Sequence, residues 1–231
     1  MITIAYTGRR GNTLFQMFAA TLFSIKFKDG IANLRDNKIL HYDALPLQQF
    51  DTTMEVTNSN FIELLNKSQG GVNFNFADYY QTEEAVAEFD RNRHCLTKFD
   101  DSPINGVFVH VRLGDLLPPF HNENRNKHVP FEYYDLALSN LHCNDGYIAS
   151  DSPNHDIVTH LANKHNLRVL NASEDDTIMF ASKFNNKVLS FGTFSWWIGF
   201  LGNQSCVIYP DEKWCLKWYA DIFTLKHWKK V

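Results

Sequence analysis

The sequence predicts an α/β protein whose strands form parallel sheets, and three observations support this class. Short apolar runs alternate with helical patterns from residue 103 to residue 210. One of these runs, GVFVHV at 106–111, has the near-continuous apolar character of a strand buried on both faces. The first 27 residues give a strand, a glycine turn and a helix. A chain of 231 residues can bury cores for such sheets.

The first half begins with the clearest of its predicted elements. ITIAYTG (2–8) is a short apolar run that ends on glycine, and residues 12–27 follow as a helix. The apolar residues at helical spacing are Leu14, Phe18, Leu22 and Ile25. Between residues 30 and 100 the pattern is weaker, and it predicts helical pieces at 61–67 and 82–93 within irregular connections.

The second half has a more regular rhythm. Its predicted strands cover residues 106–111, 146–150, 167–171, 187–190 and 206–210. Its predicted helices cover residues 129–143, 155–166, 174–185 and 195–202. Pro130 and the acidic residues at 174–176 are typical of helix beginnings. Alternating strands and helices predict a parallel, doubly wound sheet, so we expect two domains, 1–98 and 99–231.

Composition excludes some classes of function. The formal net charge of -4 gives no general basic surface for nucleic acid or anionic lipid. No apolar run is long enough to span a membrane, and the N-terminal MITIAYTG lacks the pattern of a secretory signal. The four cysteines include no CxxC pair, which favours reduced thiols over disulfides. We therefore expect a cytoplasmic protein that uses no metal site.

Polar residues gather where the predicted strands end. In open parallel sheets, ligands bind beyond the carboxyl ends of the strands. These ends carry residues 8–12, 112–115, 150–151, 171–173 and 190–195. Gly, Asn, Asp and Ser are also ordinary turn residues, and for any single one of these segments turn chemistry is the stronger interpretation.

The run VFVHVRLGD contains a histidine and an arginine that a strand core does not need. His110 and Arg112 are two residues apart, so they share one face of an extended strand. An arginine there needs an anion, because an unpaired buried charge is very costly. Asp115 in a structural ion pair and a bound diphosphate satisfy this need equally well. His110 alone is more often a core histidine than a catalyst.

SFGTFSWWIGF (190–200) forms the second candidate segment. Thr193 or Ser195 is predicted to cap a helix whose first N–H groups form an anion site. Trp196 and Trp197 point in different directions on a helix, so one is expected in the core and the other at the edge of a cleft. Burial of both tryptophans in the core is an equally good interpretation for Trp197.

Three stretches together resemble family 11 glycosyltransferases, the α-1,2-fucosyltransferases, within the wider group of GT-B fucosyltransferases. GRRGNTLFQ (8–16) is similar to the family's GxxGNxxFQ loop and helix, and HVRLGD (110–115) to its HxRxGD segment. DTIMFAS (176–182) with GTFSWW (192–197) is similar to its DxxxMS and SxFSWW block. One departure is Leu113, where the family usually has a second arginine. The resemblance implies two Rossmann-like halves whose parallel sheets face a cleft.

The resemblance also implies roles for individual residues. Arg112 is expected to bind a donor diphosphate, and Asp151 to contact the nucleoside. Catalytic candidates are Arg112, Asp115 and His110, with Asp115, His110 and Glu123 as alternatives for the general base. The residues expected to bind the donor are Gly8, Gly11, Asn12, Gln16, Arg112, Asp151, Thr193, Phe194, Ser195 and Trp196.

The implied reaction transfers a 6-deoxyhexose, L-fucose from GDP-fucose, to a sugar hydroxyl with inversion and without a metal. UDP-L-rhamnose is an alternative donor. A Rossmann-type oxidoreductase is disfavoured because GRRGN lacks the GxGxxG pattern. The 19 phenylalanines and five tryptophans suit sugar stacking, so a non-catalytic carbohydrate-binding module is the alternative from another class. The expected partners are a nucleotide sugar and a glycan acceptor.

Overall fold

The computed structural model describes residues 1–67, 70–97, 103–117, 128–141, 143, 146–202, 204–214 and 221–231. The chain divides into two compact units, Met1–Lys98 with Ala220–Thr224 and Phe99–Tyr219 with Leu225–Val231. Each unit contains one sheet, and every pairing between named strands is parallel. The predicted α/β class with parallel sheets is thus confirmed. The predicted boundary after residue 98 lies outside the described residues and stays a prediction.

Unit 1 has a three-stranded sheet in the order β1-β3-β2. Its elements are β1 (Ile2–Ile4), α1 (Arg10–Phe27), β2 (Thr53–Val56), α2 (Phe61–Lys67), β3 (Asn73–Phe76) and α3 (Glu83–Leu96). The predictions for α1, α2 and α3 correspond to these helices. β2 and β3 were not predicted, because the sequences TMEV and NFNF are short and partly polar and give no apolar run.

Aromatic side chains build the core of unit 1. α1 is buried along most of its length, because the sheet covers one of its sides and α2 and α3 cover others. Phe23 lies at its centre, with its ring centroid 5.0 Å from those of Phe74 and Phe76 on β3. Phe18 packs edge-on against Phe89 of α3 at 5.8 Å. Edge-to-face pairs of this kind stabilise a core beyond the apolar area that they bury.

Unit 2 has a six-stranded sheet in the order β6-β5-β4-β7-β8-β9. Its strands are β4 (Ile104–Val111), β5 (Gly146–Ser150), β6 (Leu167–Val169), β7 (Phe184–Val188), β8 (Cys206–Tyr209) and β9 (Lys229–Lys230). Its helices are α4 (Phe131–Ser139), α5 (Asp156–Lys164), α6 (Glu174–Ala181) and α7 (Thr193–Phe200), and a 3₁₀ turn covers Gly114–Leu116.

β4 occupies an inner position of the sheet between β5 and β7. All residues from Gly106 to Val111 are buried, which explains the run of valines and phenylalanine. The carboxyl end of β4 leads directly to Arg112 and to the 3₁₀ turn. β4 therefore carries its polar residues to the edge of the sheet where ligands of α/β proteins bind.

Several predicted boundaries in unit 2 were wrong, among them the end of α4, which is Ser139 and not residue 143. The strand predicted at 187–190 is β7, which begins three residues earlier at Phe184, and the helix predicted to reach residue 185 ends at Ala181. The start of β7 was not predicted because Asn185 and Asn186 interrupt the run of apolar residues that indicates a buried strand. Asn186 belongs to the sheet, and its amide donates to the carbonyl of Gly106 at 3.1 Å.

Candidate functional site

Arg112 forms an ion pair at the carboxyl end of β4. Its Nη2 donates to both carboxylate oxygens of Asp115, at 3.3 Å to Oδ1 and 3.2 Å to Oδ2. The side chains remain 14% and 27% exposed, so solvent reaches the pair. The structural ion pair that the sequence offered as one alternative therefore exists. It holds the guanidinium in one orientation while both side chains keep partial contact with solvent.

The guanidinium lies against the beginning of α7. Gly192 is the N-cap residue, with φ 120° and ψ 160°, a conformation that residues with a Cβ rarely adopt. A Cβ at this position would overlap Nη1 of Arg112 and lie 3.4 Å from its Cδ. Glycine is thus required here both by the backbone and by the approach of Arg112.

The first turn of α7 adds a second feature that attracts anions. The first N–H groups of a helix have no acceptor within the helix, and the helix dipole places partial positive charge there. The N-cap makes no side-chain cap, because it is glycine. Arg112 and the beginning of α7 therefore bring a cation and a helix N-terminus together, an arrangement that suits a phosphate or diphosphate.

His110, which lies on β4 two residues before Arg112, is buried. Its Nδ1 lies 2.5 Å from Oγ of Ser195, and its ring packs 5.2 Å from the ring of Phe194. Burial, together with the charge of Arg112, lowers the pKa of His110 to about 3. The imidazole is therefore neutral near pH 7, and a group with so low a pKa is a poor general base. The contacts of His110 instead connect β4 to α7.

Asp151 lies at the end of β5 and contacts the loop after β4. Its Oδ1 accepts hydrogen bonds from the backbone N–H groups of Leu113 at 2.8 Å and Gly114 at 3.1 Å. The predicted contact of Asp151 with a nucleoside stays a prediction. The structure brings Arg112, Asp115 and Asp151 to the same edge of the unit 2 sheet.

The predicted caps of α7 were wrong, and of the two alternatives for the tryptophans the one with both in the core is confirmed. Neither Thr193 nor Ser195 caps α7, because the backbone of Gly192 begins the helix earlier and Ser195 instead contacts His110. Neither tryptophan borders a cleft, because both are fully buried. Trp196 stacks on Phe200 with centroids 4.5 Å apart and meets Trp197 edge-on at 4.8 Å. Trp196 therefore contributes packing that supports α7, and its predicted contact with the donor stays a prediction.

The predicted residues of unit 1 lie at the loop between β1 and α1. Gly8 has φ 78°, and a Cβ there would overlap the amide of Asn12. Asn12 Oδ1 accepts a hydrogen bond from Gln81 at 3.1 Å, and Gly11 is buried in the first turn of α1. The roles of Gly8, Gly11 and Asn12 in donor binding stay predictions.

Gln16 is fully buried and uses its amide on the backbone. Its Oε1 accepts from the N–H of Thr7 at 3.2 Å. Its Nε2 donates to the carbonyls of Ala5 at 3.2 Å and Asp78 at 3.1 Å. These hydrogen bonds tie α1 to the ends of β1 and β3, so the structure gives Gln16 a role in the fold of unit 1.

Two buried polar residues beside α7 were not among the predicted site residues. Ser190 is fully buried, and within the described part of the chain its Oγ has no hydrogen-bond partner. Lys187 is also fully buried, and its Nζ donates to the carbonyl of Leu201 at the end of α7, at 2.6 Å. A lysine at the start of the strand predicted at 187–190 was the available signal for the contact with Leu201. The cation favours the negative end of the helix dipole.

Other predictions concern metals, membranes and the general base. Among the described residues, no group of three or more His, Cys, Asp or Glu side chains lies close enough to hold a metal ion. Over the same residues, no helix has both the length and the apolar character needed to cross a bilayer. Glu123, one of the candidates for the general base, lies outside the described residues.

Comparison with known proteins gives one distant relative. The chain is 24% identical over 144 residues to the O-antigen biosynthesis glycosyltransferase WbnK of Escherichia coli, an alignment that covers 58% of this chain and 47% of the relative. The chain thus spans about half the length of that relative. No family model matches the chain, and no solved structure matches it. The similarity supports a glycosyltransferase and leaves the donor and the linkage open.

Proposed function

We propose that the protein is an inverting glycosyltransferase that moves a 6-deoxyhexose, most simply L-fucose from GDP-fucose, to a hydroxyl of a glycan acceptor. The observation that carries this proposal is the guanidinium of Arg112 at the beginning of α7. Asp115 orients it, and Gly192 admits it. The resemblance to WbnK supports the same class of reaction.

Arg112 and α7 act on the departing diphosphate. During transfer the bond between the sugar C1 and the diphosphate oxygen breaks while a bond from C1 to the acceptor oxygen forms on the opposite face. Negative charge grows on the diphosphate, and preorganised donors stabilise such charge better than water does. Loss of one such donor typically lowers turnover by a factor on the order of 10²–10³.

The proton of the acceptor hydroxyl needs a destination. The buried, neutral His110 is unsuited to accept it. The departing diphosphate gains basicity as the C1–O bond breaks, and water carries the proton to it from the opposite face of C1, where the acceptor attacks. The proposal therefore requires no general base from the described residues, and it requires no metal ion.

The donor and the acceptor are the finer parts of the proposal. GDP-fucose is the donor that the family resemblance implies, and UDP-L-rhamnose is the alternative within the same chemistry. The name of the relative concerns O-antigen biosynthesis. We propose the same setting here, in which the acceptor is a growing bacterial glycan.

A thermal-shift panel of GDP, UDP and dTDP, each alone and as its deoxysugar conjugate, tests the proposal. A ligand at 100 times its Kd stabilises the folded protein by about 2.7 kcal/mol, which is readily measured as a rise in Tm. We expect GDP and GDP-fucose to raise Tm. In a separate turnover assay with a glycan acceptor, we expect GDP-fucose to be consumed even when a chelator has removed divalent metal ions. Stabilisation by free glycans and by none of the nucleotides would instead identify a carbohydrate-binding module.

A further inference from the structure

The carboxylate of Asp151 holds the loop that follows β4. One oxygen, Oδ1, accepts two backbone N–H groups in succession, from Leu113 at 2.8 Å and from Gly114 at 3.1 Å. Asp151 itself follows β5, the neighbour of β4 in the sheet. Hydrogen bonds to an ionised acceptor are stronger than those between neutral groups. The carboxylate therefore fixes the backbone at the ends of two adjacent strands.

The absence of a side chain at Gly114 lets the carboxylate of Asp151 approach its backbone closely. A Cβ at Gly114 would overlap Oδ2 of Asp151 and lie 2.9 Å from its Cγ. The backbone of Gly114 has negative φ, so conformational freedom is not what requires glycine here. The requirement is the close approach of Asp151. Gly114 also opens the 3₁₀ turn that contains Asp115.

We propose that Asp151 is a positioning residue for Arg112. By holding the backbone of Leu113 and Gly114 it fixes the position of Asp115, and Asp115 orients the guanidinium through both carboxylate oxygens. The inference rests on the proposed function, in which that guanidinium receives the donor diphosphate. It gives Asp151 a role different from the nucleoside contact that the sequence predicted.

Two substitutions at Asp151 separate these roles. Asn keeps an acceptor oxygen in the place of Oδ1, whereas Ala removes it. We expect D151A to lower kcat/KM for the donor by a factor on the order of 10 to 10², because a displaced Arg112 meets the diphosphate poorly. We expect D151N to stay within about threefold of the wild type. A carboxylate that binds paired N–H groups of a nucleoside needs both oxygens, so equal losses in D151A and D151N would overturn the proposal.

A double-mutant cycle with G114A gives a second test. The added methyl group expels the carboxylate from the loop, so G114A and D151A break the same contact. We therefore expect the double variant to be no worse than the poorer single variant. Losses that multiply would show that the residues act independently, and they would contradict the proposal.

Amide hydrogen exchange in the protein without nucleotide separates this inference from the proposed function. We expect the amides of Leu113 and Gly114 to exchange at least about tenfold faster in D151A than in the wild type or D151N. Unchanged exchange in D151A would overturn the inference even for an active enzyme. If the wild type binds no nucleoside diphosphate, the proposed function fails, while faster exchange in D151A would still support the contact of Asp151 with the loop.

Discussion

Alanine at Gly192 should lower both donor kcat/KM and the free energy of unfolding. The added Cβ would overlap Nη1 of Arg112 while its Cδ and Cζ lie at 3.4 and 3.5 Å, in ordinary contact. Moving the guanidinium by about 1 Å relieves the overlap, and a misplacement of this size costs on the order of 10² in rate. The positive φ of 120° adds backbone strain of about 1–3 kcal/mol. We expect kcat/KM for the donor to fall about 10²-fold.

Gly71 supplies a matched control for this experiment. Its φ is 75°, and a Cβ there would meet nothing within 4 Å. G71A should therefore lower the free energy of unfolding by about 1 kcal/mol and leave donor kinetics unchanged. The assay compares donor kcat/KM and Tm for both variants. If G192A and G71A retain equal kcat/KM, the assigned contact between Arg112 and the beginning of α7 has no part in catalysis.

Three further predictions follow from the same contacts. R112K should retain the fold and lose a factor on the order of 10²–10³ in turnover, because a single ammonium charge replaces the planar guanidinium that can donate two parallel hydrogen bonds. Near-normal turnover would show that Arg112 has no part in the mechanism. His110 has a folded pKa of about 3 against an ordinary 6.5, so unfolding takes up a proton between those values. The free energy of unfolding of the wild type should therefore fall relative to that of H110Q as pH drops from 6.5 to 3, by up to about 1.4 kcal/mol per pH unit. Above pH 6.5 the difference in unfolding free energy between the two proteins should not change with pH. A difference that does not vary with pH would mean that His110 is not buried in its neutral form. Q16L leaves several backbone groups unpaired, so the free energy of unfolding measured by chemical denaturation should fall by about 2–4 kcal/mol. Donor affinity should stay within about threefold of the wild type. Weaker donor binding at unchanged stability would instead support the predicted role of Gln16 in the donor site.

The sequence predicted the elements that carry the candidate site, because their signals are local. β4 is a continuous apolar run, and an inner strand of a parallel sheet is buried on both faces. Arg112 stands out because an arginine at the tip of such a strand needs an anion. One of the two alternatives for that anion, Asp115, lies three residues further along the chain, and this ion pair forms.

The rest depends on contacts between distant parts of the chain. Asp151 meets Leu113 and Gly114 across 38 and 37 residues, and no local pattern indicates a carboxylate bonded to backbone amides. Ser195 was predicted as a cap from its residue type, but Gly192 is the N-cap and Ser195 instead contacts His110, 85 residues away in the chain. In unit 1 the strand Asn73–Phe76 was missed because alternating asparagines conceal it.

Calorimetric titration with GDP and with guanosine, for the wild type and for R112K, tests the central claim most directly. If Arg112 and the first turn of α7 hold the diphosphate, the wild type should bind GDP far more tightly than guanosine, and R112K should lose most of that difference. Because each factor of ten in Kd is about 1.4 kcal/mol, a loss of 10² is well within the range of the method. Equal affinity of the wild type for GDP and guanosine, or an unchanged preference in R112K, would contradict the account.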